Sequence, residues 1–146
     1  MEPQTDLPLA LRAAYLSLHR NSDACFSDHG ITADQFVLMS ALAEGNALTQ
    51  RELACRISSD PSTIRAMLVL LEDHGMVRRK PHPTDSRAKT VSLTAAGKRK
   101  VKKLGNAGQP IRDCMYEALS PAEAKKLVKL LGKVSDALKD YQSSCV

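Results

Sequence analysis

The groups in this chain with the clearest chemistry are cations set beside small polar side chains. Ser62, Thr63 and Arg65 stand together near the start of a helical segment. Small side chains there permit close approach to a base edge, a guanidinium can pair with guanine O6 and N7, and the positive helix end favours phosphate. From this helix alone, a solvated face in a helical bundle fits equally well. Further along, Arg87 sits in a turn flanked by Arg78, Arg79, Lys80 and Lys89, and the negative potential of a narrow groove attracts such an arginine. Asp85 is costly in a phosphate-facing loop unless it pairs, so it is assigned to holding Arg79 or Arg87; a plain turn aspartate is the alternative. Gln50 and Arg51 open the preceding helix and suit phosphate contact, although Arg51 fits a solvated surface charge as well.

Other chemistry is poorly supported. Cys25, Cys55, Cys114 and Cys145 are far apart, without a C-x-x-C pair or a histidine at metal-ligand spacing. The first three read as small buried thiols in a reducing cytosol and Cys145 as exposed. His19, His29, His74 and His82 are equally scattered, so no metal and no cofactor is expected. With no phosphate-cradling glycine loop and no nucleophile elbow, an enzyme is not expected either. Arg12, Tyr15 and His19 fall at i, i+3 and i+7, and could together meet an anionic ring with Phe36 and Met39 as apolar walls. Surface and dimer-contact roles are the competing reading of those residues.

The elements that must position these groups are legible from their ends. Thr32 with Gln35, and Thr49 with Glu52, form capping boxes that start helices near Ala33 and Gln50. Asp60 followed by Pro61 opens a helix that Gly75 stops, over about 61–74. Its apolar face is Ile64, Met67, Leu68 and Leu71, leaving Ser62, Arg65 and Ala66 outward. Met76 to His82 and then Lys89 to Leu93 read as two strands joined by the turn Pro83-Thr84-Asp85-Ser86. Thr94 caps a long helix with a seam of Gly97, Val101, Leu104, Gly108, Ile111, Met115 and Ala118, which Pro110 should kink or split. Ser120 and Pro121 open a final helix with the stripe Leu127, Leu130, Leu131, Val134, Leu138 and Tyr141. An amphipathic helix over about 7–28 precedes them all. The expected fold is mainly α with a small β-ribbon, in the order ααααββαα: a winged helix-turn-helix between N- and C-terminal helices.

The 146 residues suit one domain, and 21 Lys plus Arg against 16 Asp plus Glu, a net charge of +5, favour a polyanionic partner. The longest apolar run, Ala66 to Leu71, is far below the roughly 20 residues of a membrane span, and the N-terminus lacks a signal-peptide pattern. A cytoplasmic protein without a membrane partner is expected.

The stretch TQRELACRISSDPSTIRAMLVLLEDHGMVRRKPHPTDSRAKTVSLTAAG, from Thr49 through Gly97, resembles the MarR (multiple antibiotic resistance regulator) family. The resemblance rests on Leu71, Glu72, Gly75, Val77 and Arg79, on the wing pattern Asp85-Ser86-Arg87, and on the closing Leu93-Thr94-x-x-Gly97. The C-terminal LSPAEAKKLVKLLGKV is similar to the family's last helix. The resemblance implies a winged-helix homodimer, with about 33–97 as the DNA-binding lobe and about 7–30 and 98–142 as dimerisation helices. It implies a transcriptional repressor on a pseudopalindromic double-stranded operator, released by a small aromatic or anionic effector. Arg87 would then enter the minor groove with Asp85 orienting it, and Ser62, Thr63 and Arg65 would face the major groove. The chain departs from the family at Ser86, often basic there, and at Val69 and Leu70, often polar or charged. Two other readings remain: a thiol-based redox sensor of the same fold, and a winged-helix protein-interaction module without DNA binding.

Overall fold

The computed structural model describes residues 6–45 and 47–144. Six helices and three short strands follow in the order α1 (Leu7–Ser27), α2 (Ala33–Leu42), β1 (Leu48–Thr49), α3 (Gln50–Arg56), α4 (Pro61–Asp73), β2 (Val77–Pro81), β3 (Lys89–Leu93), α5 (Ala95–Glu117) and α6 (Pro121–Ser144). The caps read from the sequence are formed. Thr32 with Gln35 and Thr49 with Glu52 make reciprocal capping boxes, and the Asp60 carboxylate accepts the Thr63 N–H at 2.9 Å. Ser120 and Glu123 do the same for α6. Each cap satisfies an orphan helix donor and contributes about 1 kcal/mol.

The ribbon is one strand wider than the sequence suggests. The sheet order is β1-β3-β2, antiparallel, with Leu48 opposite Val91 and Arg79 opposite Val91 on the other side. A two-residue strand carries no alternation, so Leu48 signals only the start of α3. Helix α5 also runs unbroken through Pro110, which does not split it.

Two compact units are present, residues 6–108 and 109–144 of those described, divided within α5 after Gly108. In the first, Leu38, Met39, Leu53, Ile64, Leu68, Leu71, Val91 and Leu104 are fully buried. The N-terminal half of the α5 seam therefore serves this chain's own core: Leu104 belongs to it and Val101 packs against it. In the second unit, most of the α6 stripe lies open, with Leu127, Leu130, Leu131, Leu138 and Tyr141 exposed. The thiols differ from expectation as well. Cys55 and Cys114 are exposed, Cys114 within a stretch of α5, residues 112–117, that is exposed on every side; Cys25 is half-buried and donates its S–H to the Ala107 carbonyl at 3.0 Å. Cys145 lies outside the described residues.

The end of α4 is stopped by Gly75, at φ 73°. Gly75 N–H bonds the Glu72 carbonyl and Met76 N–H the Leu71 carbonyl, each at 2.9 Å, the paired bonds of a Schellman stop. Thr94, between β3 and α5, donates its hydroxyl to the Gly75 carbonyl at 2.6 Å and accepts the Gly97 N–H at 3.0 Å. At Gly97 the α5 backbone passes so close to Met76 that a Cβ would collide with its carbonyl oxygen, whereas Gly105 has open space. Gly97→Ala should therefore lower the stability measured by urea unfolding by about 1–3 kcal/mol, while Gly105→Ala, on the same helix, should be neutral or slightly stabilising. Equal midpoints for the two variants would contradict this account of the junction.

Candidate nucleic-acid interface

Helix α4 presents two chemically distinct faces. Ile64, Met67, Leu68 and Leu71 are buried, while Ser62, Thr63, Arg65, Ala66, Val69 and Leu70 are exposed. The burial period is that of a helix lying on a core with one side free, so the outward side is set by the packing of the inward one. Thr63 has a prior commitment: its hydroxyl donates to Asp60 Oδ2 at 2.7 Å, so it offers a partner only its lone pairs and methyl group. The two hydrogen bonds donated by Thr63, from its backbone amide first and then its hydroxyl, hold the Asp60 carboxyl below its ordinary value. Helix α3 precedes α4 through a tight turn in which Ser58 adopts φ 54°, a left-handed conformation rare for a residue with a Cβ. Gln50 is half-buried and Arg51 exposed at the start of α3.

The ribbon carries Arg78, Lys80, Arg87 and Lys89 exposed. Arg87 is the most open of the site's ion-paired cations, its side chain 94% exposed, with Nε 3.7 Å from Asp85 Oδ1. The same Asp85 oxygen accepts the Arg87 backbone N–H at 3.0 Å. Asp85 therefore fixes the chain path at the tip while its attraction for the solvated guanidinium stays weak, which leaves Arg87 available to another anion.

Arg79 has a different partner. Its Nε and Nη2 bond the two carboxylate oxygens of Glu72 at 3.2 and 3.1 Å, a bidentate pair linking the last turn of α4 to β2. The hydrogen bond from Arg79 keeps the Glu72 carboxyl below its ordinary value. Of the two partners offered to Asp85 by the sequence, Arg87 is thus the one beside it. The Glu72–Arg79 pair was missed in the sequence: both residues belong to the Leu71-to-Arg79 pattern, but seven residues and a turn separate them, and nothing in their spacing signals the contact.

His82 went unrecognised in the sequence. Its Nδ1 accepts the backbone N–H groups of Thr84 and Asp85, both at 3.1 Å. Two donors converging on one nitrogen require its lone pair, so the ring holds the tip with Nδ1 unprotonated. No common capping pattern places a histidine in this role, and its spacing carried no signal.

The remaining expected residues lie on α1 and α2. Arg12 and Tyr15 are exposed, and Tyr15 stacks on His19 with ring centroids 5.6 Å apart. His19 Nε2 lies 3.1 Å from Asp23. Phe36 is half-buried against Phe26, with centroids 4.7 Å apart. Met39 is fully buried in the core and has no surface open on this side. Among the described residues no three His, Cys, Asp or Glu side chains gather as a metal site would require, and no described helix is long and apolar enough to cross a membrane.

Residues 31–89 match the family model described as MarR family. Among curated proteins, the chain is similar to the transcriptional regulator HosA of Escherichia coli O111:H-, with 32% identity over 111 residues, 73% of this chain and 79% of that one. It is similar to the structure of a mutant MarR from E. coli complexed with operator DNA, at 28% identity and a TM-score of 0.78, covering 88% of this chain and 94% of that one. It is also similar to BpsR of Bordetella bronchiseptica, whose DNA binding is regulated by 6-hydroxynicotinic acid, at 27% identity and a TM-score of 0.82, covering 92% and 99%.

The role of His82 is open to direct measurement. His82→Ala removes the shared acceptor, so amide exchange at Thr84 and Asp85 should quicken roughly five- to tenfold, the equivalent of about 1 kcal/mol. Global unfolding should not change. Unaltered exchange at both amides would contradict the assignment.

Proposed function

The chain belongs to the MarR family, and on that premise we propose that it is a sequence-specific, double-stranded DNA-binding transcriptional regulator. It acts as a homodimeric repressor on a pseudopalindromic operator and is released by a small effector. The observation that carries the reading is the pairing of one small, polar helix end, Ser62, Thr63 and Arg65 on α4, with one solvated arginine, Arg87, at the tip of the adjoining wing. The first enters the major groove and the second the minor groove, with Asp85 ordering the wing tip. Gln50 and Arg51 contact phosphate. Arg79 supports the interface through Glu72 and reaches the backbone only at the edge of that pair.

The lobe over about 33–97 reads DNA, and the helices over about 7–30 and 98–142 join two copies. The exposed Leu7, Leu9 and Leu18 of α1 and the open stripe of α6 support that assembly, since apolar faces of this kind are buried in stable proteins. Two recognition helices then meet successive major grooves one helical turn apart, about 34 Å. The protein is not an enzyme, and it works in the cytoplasm.

Release needs a ligand that binds the two conformations unequally. Arg12, Tyr15 and His19 form a cation and two stacked rings on one side of α1, suited to an aromatic carboxylate, with Phe36 as the apolar neighbour on α2. BpsR, the relative regulated by 6-hydroxynicotinic acid, responds to a molecule of that chemical class.

Two measurements test this. Binding of the wild-type protein to its own upstream DNA should fall steeply with salt, and Arg87→Ala should both weaken it and lessen the log-log salt slope by about one per subunit; a variant indistinguishable from wild type would remove the wing from the interface. In a panel of aromatic carboxylates that includes 6-hydroxynicotinic acid, at least one should release the wild type from DNA. Arg12→Ala should bind DNA normally yet lose that response, and a variant that loses DNA binding itself would contradict the assignment.

A further inference from the structure

The outward face of α4 changes character along its length. Ser62, Ala66 and Val69 follow one another at helical spacing on a single ridge, with Arg65 on one flank and Leu70 on the other. Val69 is 44% and Leu70 50% exposed, although the helix has a well-filled apolar side of its own. From Pro61 to Leu70 the face holds one charge, Arg65, and no carboxylate. A helix face adapted to water alone would carry paired charges at i and i+4. The acidic residues stand at its two ends: Asp60, the N-cap already bonded to Thr63, before it, and Glu72, already satisfied by Arg79, and Asp73 after it.

The major groove contains one apolar group, the C5-methyl of a pyrimidine, carried by thymine or by 5-methylcytosine. Val69 lies seven residues, about 10 Å, along the axis from Ser62, within a groove about 12 Å wide. The basic flanks of the ribbon, Arg78, Lys80, Arg87 and Lys89, make the surface beside this ridge complementary to DNA rather than to an apolar protein. Resting on the DNA-binding reading above, we propose that Ala66, Val69 and Leu70 form an apolar reading edge that recognises a pyrimidine C5-methyl group next to the base pair read by Arg65. Binding then buries the methyl against the ridge, which makes one position in each half-site specific without a hydrogen bond.

The test uses the full-length protein and a duplex that it selects from a random pool. Thymines are replaced one at a time by uracil, which removes only the methyl group. At one or two positions in each half-site the affinity should fall about fourfold, the equivalent of about 0.8 kcal/mol per buried carbon. Val69→Ser, an exposed change that leaves Arg65 intact, should bind the thymine and uracil duplexes alike. A parallel pool made with 5-methylcytosine identifies the source: sensitivity to uracil assigns the methyl to thymine, and a fourfold loss only on reverting 5-methylcytosine to cytosine assigns it to the modified base. Insensitivity in both arms, with tight binding to the selected duplex, overturns this inference and leaves the DNA-binding reading standing. Failure to select any duplex overturns both.

Discussion

The position of the whole candidate interface depends on one close backbone approach. Where α4 ends, β2 begins, β3 ends and α5 begins, four chain segments meet around Gly75, Met76, Thr94 and Gly97. The Thr94 hydroxyl is donor to the carbonyl of Gly75 and acceptor from the amide of Gly97, so a single side chain ties the stop of one helix to the start of another. Gly97 is required because any side chain there meets the Met76 carbonyl. The bidentate Glu72–Arg79 pair crosses the same turn on the outer surface. Moving the ribbon relative to α4 would break the Thr94–Gly75 bond and the Glu72–Arg79 pair together, so helix and wing form a single body with fixed spacing, as reading two grooves would require.

Beyond that junction, the contacts weaken toward the tip in step with the work each part does. The root of the ribbon is buried at Val77, Val91 and Leu93, while the tip is held by hydrogen bonds to His82 and Asp85 and by the backbone bond from His82 to Ala88, with Asp85 and Arg87 exposed. A tip ordered by exposed hydrogen bonds opens at low free-energy cost and can adjust to a groove. Arg87 has little to lose on leaving water-exposed Asp85, since an ion pair with one side chain almost wholly solvated contributes little. On α4 the arrangement is stiffer: four inward apolar residues fix the rotation of the helix, and that rotation decides which residues can touch a base.

Most of the fold was legible in the sequence because its helices announce their ends. Thr32, Thr49, Asp60, Thr94 and Ser120 each stand where a side-chain oxygen is needed, and Gly75 where a left-handed stop is needed, so boundaries agree within about one or two residues. What escaped was set by tertiary contact. Strand β1 is two residues long and exists only because β3 offers an edge. Pro110 lies within a helix long enough to continue past one missing bond. Cys55 and Cys114 are exposed, Cys114 in a stretch of α5 with no buried side, against the tendency of cysteine to be buried. For the site, outward and inward faces of α4 followed from periodicity alone, whereas the Glu72–Arg79 pair and the His82 acceptor depend on how a turn brings separated residues together. Met39 shows the opposite limit: its spacing suited a pocket wall, but the core claims it entirely.

The central claim is that each copy of the chain touches two grooves of one operator at once, α4 in the major and Arg87 in the minor. Chemical probing of a duplex bound by the protein tests it most directly, with guanine N7 methylation interference reporting the major groove and hydroxyl-radical cleavage the sugar edges of the minor groove. The account predicts two symmetric windows of N7 interference centred one helical turn apart, each flanked on its outer side by a short stretch of sugar protection that disappears in Arg87→Ala. Uniform protection without N7 interference, or interference in a single window with no minor-groove footprint, would contradict it.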